Sequence, residues 1–148
     1  QFNLTNRRLA KGEIETLLSD ERSISLTVSL RDRFGDYGLV SVILGVPEGE
    51  SCRIHVWVMS CRVMGRGVEY YLLGEFLKEA RELGYNTIVG EFIASKKNAP
   101  VAEMYPSLGL SPYNSGDSAS HLYKANISTL QIAKHFVTAG VSGSSTKN

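Results

Sequence analysis

A loop rich in glycine and arginine has the residue types that best suit this sequence to binding an anion. Arg62-Val63-Met64-Gly65-Arg66-Gly67 lies between a predicted strand and Val68, the first residue of a predicted helix. The first N–H groups of a helix have no intrahelical partner, and the helix dipole adds about half a positive charge there. Glycine allows positive φ and lets a phosphate approach the backbone, and the arginines add charge. The loop therefore predicts a phosphate or pyrophosphate site; a plain tight turn is the alternative explanation of its glycines.

Two common nucleotide-binding motifs do not fit this loop. A Walker loop ends in Gly-Lys-Ser or Gly-Lys-Thr, and that ending does not occur here. A dinucleotide-binding loop needs a third glycine at the position that Tyr70 occupies. The anion is therefore expected to be of another kind.

Hydrophobic periodicity predicts the elements that hold the loop. Val68–Leu83 has a period of about 3.6 residues, with Leu72 and Phe76 in one row, and Gly84 follows at the position of a C-cap. The alternation of apolar and polar residues in Ser23–Leu30 predicts a half-buried strand. Further helices are predicted at Lys11–Asp20, Ala99–Leu108 and Ser128–Phe136, and further strands at Tyr37–Val46, Cys52–Ser60, Asn86–Ile93 and His121–Lys124. This order predicts an α/β (α+β) fold with a mixed central sheet and flanking helices.

Length and composition indicate one domain. The chain has 148 residues, 43% of them hydrophobic and 21% charged, which is enough for one core. We place this domain at residues 1–139, with a polar lead-in segment at 1–9 and a flexible tail at 140–148. The chain starts at Gln1, and no strand is predicted ahead of the first helix. We therefore expect a piece of a longer protein.

Charge and hydropathy argue against nucleic acid and membranes as partners. Lysine and arginine (16) nearly balance aspartate and glutamate (15), so no general attraction to polyanions is expected. No apolar run approaches the ~20 residues that cross a bilayer, and we find no secretory signal. Cys52 and Cys61 lie at opposite ends of one predicted strand, roughly 30 Å apart, which is too far for a disulfide. We expect a cytoplasmic protein with reduced thiols and no metal.

Two short patterns resemble the signatures of the GNAT superfamily of N-acetyltransferases. The loop from Arg62 to Gly67 resembles R/Q-x-x-G-x-G/A. A second pattern resembles N-x6-Y-x3-G-F, with leucine in place of the aromatic residue, at Asn98, Tyr105, Gly109 and Leu110. The resemblance implies a GNAT-like fold in which the loop cradles the pyrophosphate of coenzyme A and Tyr105 faces the thioester sulfur. It also implies that Asn98 contacts the pantetheine arm; capping of the following helix is its alternative role.

Longer stretches are similar to the C-terminal GNAT-like domain of FkbH-type proteins. They are Gln1-Phe2-Asn3-Leu4-Thr5, Phe34-Gly35-Asp36-Tyr37-Gly38-Leu39-Val40, the run from Trp57 to Glu69, and Lys97-Asn98. In that family the whole protein loads a glyceryl group onto an acyl carrier protein for polyketide-type biosynthesis, and an upstream HAD-like domain processes phosphorylated glycerate. No D-x-D-x-[TV] motif occurs in this chain. The resemblance thus implies a C-terminal module whose partners are an acyl carrier protein and a HAD-like domain.

Four residues are candidates for catalysis under this resemblance. Tyr105 is the candidate general acid for the departing thiolate, or a packed helix residue. Cys61, beside the loop, is a candidate transient acyl acceptor whose position favours a thiolate, or a small packed residue. Glu91, near the end of a strand beside the expected thioester channel, and His55, whose ordinary pKa suits the task, are alternative general bases. The alternative interpretation of Glu91 is a solvated edge residue, and that of His55 is a packed or exposed strand residue.

Two functions of different classes are consistent with these residues. The first is an acyltransferase of GNAT type that takes its acyl group from acyl-coenzyme A or an acyl carrier protein. The second is a module without chemistry of its own that binds the phosphopantetheine arm of a carrier protein. The fold alone does not decide between them.

Overall fold

A mixed sheet organises the structure, a computed structural model that describes residues 1–113, 120–132 and 142–145. In chain order its strands are β1 (Phe2–Asn3), β2 (Ile24–Asp32), β3 (Gly35–Glu48), β4 (Ser51–Met59), β5 (Thr87–Ile93), β6 (Ser111–Tyr113), β7 (Ser120–Asn126) and β8 (Ser142–Ser145). Across the sheet the order is β6-β7-β5-β4-β3-β2-β8, and β1 lies beside β4. Among the described pairings, β4 with β5 is parallel and the others are antiparallel. The predicted class, a mixed sheet with helices, is confirmed.

The helices are α1 (Lys11–Leu18), α2 (Val68–Glu82) and α3 (Met104–Ser107), with 3-10 turns at Cys61–Val63 and Ala99–Val101. The longest helix, α2, buries an apolar row against the sheet, made by Leu72, Leu73, Phe76, Leu77 and Ala80. The helix comes very close to β3, because a Cβ atom at Gly45 would lie 2.5 Å from the Phe76 ring. The position therefore requires glycine.

β4 separates from β5 halfway along its length. On one edge, its register with β3 shifts at His55, an extra residue that has no partner on β3. On the other edge, β4 pairs with β5 only as far as Ile54 and Gly90. A bulge of this kind bends a strand and interrupts pairing. We call the opening between the two strands beyond Ile54 and Gly90 the wedge.

The first residues of the chain lie in the wedge. β1 pairs antiparallel with the end of β4, with Phe2 opposite Met59 and Asn3 opposite Val58, and Leu4 is fully buried. The expectation that no strand precedes the first helix was therefore wrong, as was the description of 1–9 as a polar lead-in. The physical reason is that β1 and Leu4 pair with strand edges more than 50 residues away, which local patterns do not reveal.

Two predicted helices differ from the structure. The segment predicted as one helix at Ala99–Leu108 consists of a 3-10 turn and the short α3. In a continuous helix Pro106 would lie in the interior, where its missing N–H breaks a hydrogen bond, whereas in α3 it lies in the first turn, where no N–H is needed. In the predicted helix Ser128–Phe136, residues 128 and 129 form a turn and 130–132 have no regular structure; the remainder lies outside the described residues.

Part of the expected flexible tail also has regular structure. Ser142–Ser145 forms β8 on the edge of β2, with Leu26 opposite Ser145 and Ser29 opposite Ser142. An edge strand offers unpaired backbone groups to any extended segment that reaches it, whatever the composition of that segment. Within the described residues, no helix has the length and apolar character to cross a membrane.

Candidate functional site

The glycine loop joins β4 to α2 and has the backbone that its sequence predicts. Gly65 has φ of 76° and Gly67, the N-cap of α2, has φ of 84°. Both values lie in the left-handed region, which disfavours other residues. A Cβ atom at Gly65 would meet nothing within 4 Å, so the loop is open on that side. The Ser60 hydroxyl accepts a hydrogen bond from the Arg62 N–H (3.3 Å) and fixes the start of the loop.

The two loop arginines lie toward the turn between β2 and β3. The Arg66 guanidinium donates to the Asp32 carboxylate at 2.7 Å, and this hydrogen bond lowers the pKa of Asp32. Arg62 donates to the Tyr37 carbonyl oxygen at 3.3 Å, and both guanidiniums lie within 6 Å of the Tyr37 ring. Their positive charge is thus held beside the loop.

Sequence reasoning overlooked an acidic residue in the first turn of α2. Glu69 is buried (9% exposed), and its Oε2 atom has no hydrogen-bond partner among the described residues. Burial raises the pKa of Glu69, and a hydrogen bond from its own backbone N–H opposes the rise. An ionised Glu69 would repel a bound anion, whereas a protonated one would not. Its position directly after the predicted anion loop was the signal that could have identified it.

Tyr105 lies next to the wedge, against Gly90, the last residue of β5 that pairs with β4. The residue is 1% exposed, and its Oη atom has no hydrogen-bond partner among the described residues. Its ring packs on Gly90, where a Cβ atom would lie 2.5 Å from it, and its centroid is 5.9 Å from that of Trp57 and 5.6 Å from that of Tyr123. Burial raises the pKa of the Tyr105 hydroxyl well above its usual range. Tyr105 is therefore a neutral phenol that can still donate one hydrogen bond.

Asn98 is buried at the mouth of the wedge. Its side-chain amide donates to the backbone oxygens of Asn3 (2.9 Å) and Ile93 (2.8 Å), and its Oδ1 atom accepts from the Ser95 N–H (2.7 Å). The residue occupies the N-cap position of the Ala99–Val101 turn, but its side chain makes no capping hydrogen bond. The predicted N-cap position is thus confirmed without a side-chain cap, and the predicted contact with a pantetheine arm stays a prediction.

Glu91 is held in an ion-pair cluster on β5. Its Oε1 atom lies 2.8 Å from both the Arg7 and the Arg53 guanidiniums, and the Ser120 hydroxyl donates to its Oε2 atom at 2.7 Å. Burial opposes ionisation of Glu91, but the hydrogen bonds from Arg53, Ser120 and Arg7 outweigh burial and lower its pKa to about 2. A carboxylate of this kind is a weak base near neutral pH. Three residues of this cluster, Arg7, Arg53 and Ser120, were not expected from the sequence.

The other two catalytic candidates are more accessible. His55 is half-buried at the bulge of β4, and burial together with Arg7 and Arg53 lowers its pKa, so that the imidazole is neutral near pH 7. Cys61 is exposed at the start of the loop, Cys52 is buried, and neither is in a disulfide. The prediction that the two cysteines do not pair is confirmed. Cys61 as an acyl acceptor and His55 as a base stay predictions.

A groove of about 540 Å³ lies beside α1 on the sheet face opposite α2. Its floor is apolar and consists of Val42, Leu44, Val56 and Val58. Its rim includes Arg8 and Lys97, both exposed and neither with a salt bridge among the described residues. No acidic residue lines the groove in the described part of the chain. Residues 1 and 3 also line it, so the segment in the wedge borders the groove.

Comparisons with known proteins identify the fold. No family model and no curated protein matches the sequence. An aminoglycoside 6'-N-acetyltransferase solved with coenzyme A superposes with a TM-score of 0.60 at 16% identity, over 78% of each chain. The ribosomal-protein-S18-alanine N-acetyltransferase of Escherichia coli superposes with 0.57 at 14% identity, over 91% of this chain and 86% of that one. The GNAT domain of S. lividans PAT superposes with 0.60 at 14% identity, over 80% and 70%. The chain therefore has the fold of the GNAT acetyltransferases.

Proposed function

We propose that the protein is a GNAT-type acyltransferase that binds an acyl thioester through the glycine loop. The observation that carries this proposal is the left-handed glycine pair at the start of α2, where Gly67 caps the helix and Gly65 leaves open space. Such a helix start presents unpaired N–H groups to an anion. Coenzyme A fits as donor because its pyrophosphate suits these amides and Tyr105 offers an unused hydrogen-bond donor behind the wedge.

In this proposal each group has one task. When bound, the acyl thioester supplies an activated carbonyl carbon. The loop amides hold the pyrophosphate, and Asn98 orients the amides of the arm. As the acceptor's nitrogen or oxygen bonds to the carbonyl carbon and the carbon–sulfur bond breaks, Tyr105 would donate its proton to the leaving thiolate. His55 is the better of the two candidate bases for the proton of the acceptor, because its imidazole is unprotonated near pH 7 and has a free lone pair, whereas Glu91, with a pKa of about 2, is too weak a base.

The groove suggests which acceptors suit the site. Its apolar floor and its cationic rim, formed by Arg8 and Lys97, favour a neutral or anionic acceptor with an apolar body. A polycationic acceptor would be repelled by the cationic rim, and no carboxylate among the described lining residues would offset this repulsion.

A second candidate is the non-catalytic module that binds a carrier-protein phosphopantetheine arm, as in the FkbH-type proteins. Two observations favour it: Glu91 is tied to two arginines, and Tyr105 is sealed from solvent. Under this reading the loop and Asn98 hold the arm, and a partner such as a HAD-like domain performs the chemistry.

Transfer and binding, measured separately, distinguish the two functions. The chain would be incubated with acetyl-coenzyme A, or with an acylated carrier protein, and a panel of amines and hydroxy acids. Released thiol and the intact masses of all components would be measured. We expect a mass gain on an acceptor. Arm binding without any transfer would favour the module, and absence of binding by both donors would contradict both functions.

A further inference from the structure

We propose that residues 2–6 compete with the arm of an acyl thioester for the wedge, so that the chain's own segment controls access to the site. This inference rests on the proposed function, since the arm must pass from the loop at the end of β4 toward Tyr105 behind the wedge. The wedge is open to one extended chain at a time, because it is bounded by two strand edges that diverge after Ile54 and Gly90.

The segment satisfies backbone groups on both sides of the wedge. The Leu4 N–H donates to the Trp57 oxygen on β4 at 3.0 Å, and the Ile93 N–H on β5 donates to the Leu4 oxygen at 2.8 Å. One residue thus bridges the two separated strands. An extended chain with secondary amides, such as the arm of coenzyme A, can offer the same donors and acceptors.

The segment also accepts a hydrogen bond from Asn98, the residue whose side chain we expect to hold the arm. Asn98 uses one amide hydrogen on the Asn3 oxygen and directs the same nitrogen to Ile93, and its oxygen accepts from Ser95. An asparagine amide has two hydrogens to donate. The hydrogen that points to Asn3 and Asn6 therefore becomes available to the arm when the segment leaves, while the hydrogen bond to the Ile93 oxygen is kept.

Leu4 connects the segment to the reaction centre. Its backbone binds the Trp57 oxygen, and the Trp57 ring packs against Tyr105. Leu4, Trp57 and Tyr105 belong to one buried cluster, in which none of the three is more than 1% exposed. The Tyr105 hydroxyl in this cluster is closed to solvent and has no hydrogen-bond partner among the described residues. We expect the departure of Leu4 to loosen the packing around Trp57 and so to open a path to that hydroxyl.

Asn6 is a residue whose substitution should weaken the binding of the segment in the wedge. This residue is exposed, has φ of 60°, and donates from its side chain to the Ile93 oxygen at 2.8 Å. Asparagine tolerates the left-handed region better than alanine. Asn6→Ala therefore removes one anchor and disfavours the turn, while leaving the loop and Tyr105 unchanged. It also removes the Asn6 Oδ1 atom, to which the Asn98 amide donates at 3.5 Å.

The test compares a ligand that has the arm with one that lacks it. Calorimetry would measure coenzyme A and ADP, which has a pyrophosphate and no arm, against the wild type, Asn6→Ala and a chain that begins at Arg7. We expect coenzyme A to bind both variants roughly tenfold or more tightly than wild type, because the apparent Kd equals the intrinsic Kd divided by the fraction of molecules with an open wedge, and both variants raise that fraction. The affinity for ADP should not change. Asn86→Ala is the matched control, since Asn86 is an exposed asparagine at the other end of β5 that also donates one side-chain hydrogen bond.

Hydrogen exchange of the wild type provides a measurement that needs no variant. The Leu4 amide, bonded to Trp57, should lose protection in saturating coenzyme A and keep it in saturating ADP. Unchanged protection with coenzyme A, or equal gains in affinity for ADP and coenzyme A in the variants, would overturn the competition. If ADP binds and the coenzyme A affinity is the same in every variant, the competition is overturned and the proposed function still stands. Failure of every form to bind either ligand would overturn the proposed function as well.

Discussion

At the scale of single residues, the backbone conformation of Gly67 gives the sharpest test of the loop. Gly67→Val places a β-branched side chain at φ of 84°, where non-glycine residues are disfavoured by about 1–2 kcal/mol, and covers the amides at the start of α2. We expect coenzyme A affinity to fall by roughly tenfold or more, with a modest loss of stability. Calorimetry and thermal unfolding measure the two effects.

Gly74→Val is the control for this substitution. Gly74 lies inside α2, and a Cβ atom there would meet nothing within 4 Å. The control should change stability by less than about 1 kcal/mol, because valine and glycine have similarly low helix propensity. It should leave ligand binding unchanged. Equal binding by wild type and Gly67→Val would remove the loop from the site.

The hydroxyl of Tyr105 separates catalysis from binding. Tyr105→Phe removes an oxygen that has no hydrogen-bond partner in the described residues, so we expect stability to stay equal or rise slightly. If Tyr105 is the general acid, transfer should slow on the order of 10²-fold with little change in donor affinity. Single-turnover thiol release and calorimetry on the same samples measure both quantities. Transfer at the wild-type rate would exclude Tyr105 as the acid and direct attention to Cys61.

At the scale of elements, local pattern predicts the strands and helices that frame the loop. The strands predicted at Ser23–Leu30 and Cys52–Ser60 differ by one or two residues from β2 and β4, and the helix predicted at Val68–Leu83 differs by one residue from α2. Periodicity locates these elements because the helix buries one face over several turns and each strand buries one face over several residues.

Elements that depend on distant partners were not predictable. β1 has two residues, and it is a strand only because β4 and β5 separate and leave two unpaired edges. The separation itself arises from the bulge at His55, which has no sequence signature. For the same reason the sequence could not reveal that the first residues of the chain lie in the wedge and contact Asn98.

The contact between α2 and β3 gives a prediction at this scale. Gly45→Ala would place a methyl group 2.5 Å from the Phe76 ring and 2.8 Å from the Cys52 sulfur. We expect a loss of stability of about 1–3 kcal/mol from overpacking. Urea unfolding measures it, with Gly74→Ala as the control that has space for its methyl group. The double variant Gly45→Ala/Phe76→Leu should recover part of the loss; a purely additive result would place the strain elsewhere.

At the scale of the whole molecule, the cluster around Glu91 joins four parts of the fold. Arg7 follows the segment in the wedge, Arg53 lies on β4, Glu91 on β5 and Ser120 on β7. The Arg7 guanidinium also donates to the His55 oxygen at the bulge (3.1 Å). One buried carboxylate thus fixes the sheet at the place where it divides. Its ionisation should therefore affect global unfolding rather than one element.

The pH dependence of stability tests this cluster. The pKa of Glu91 is lowered from an ordinary value of 4.5 to about 2. A lowered carboxylate pKa contributes stability that is fully present above the unfolded-state pKa and is lost as pH falls through the folded-state pKa. Wild type should therefore lose up to about 3 kcal/mol from this group between pH 5 and pH 2.

Glu91→Gln should separate this contribution from the rest of acid unfolding. At pH 7 we expect the variant to be less stable by about 3–5 kcal/mol, because two guanidiniums lose their shared buried partner. As pH falls toward 2, wild type loses the same charge, so the difference between the two proteins should shrink. Glu48→Gln is the control: Glu48 binds the same Arg53 at 3.2 Å, but its side chain is 51% exposed, and we expect less than about 1 kcal/mol at any pH. Urea unfolding at pH 7, 4 and 2.5 measures all three proteins. A difference between wild type and Glu91→Gln that stays constant with pH would mean that the carboxylate contributes through packing and not through its charge.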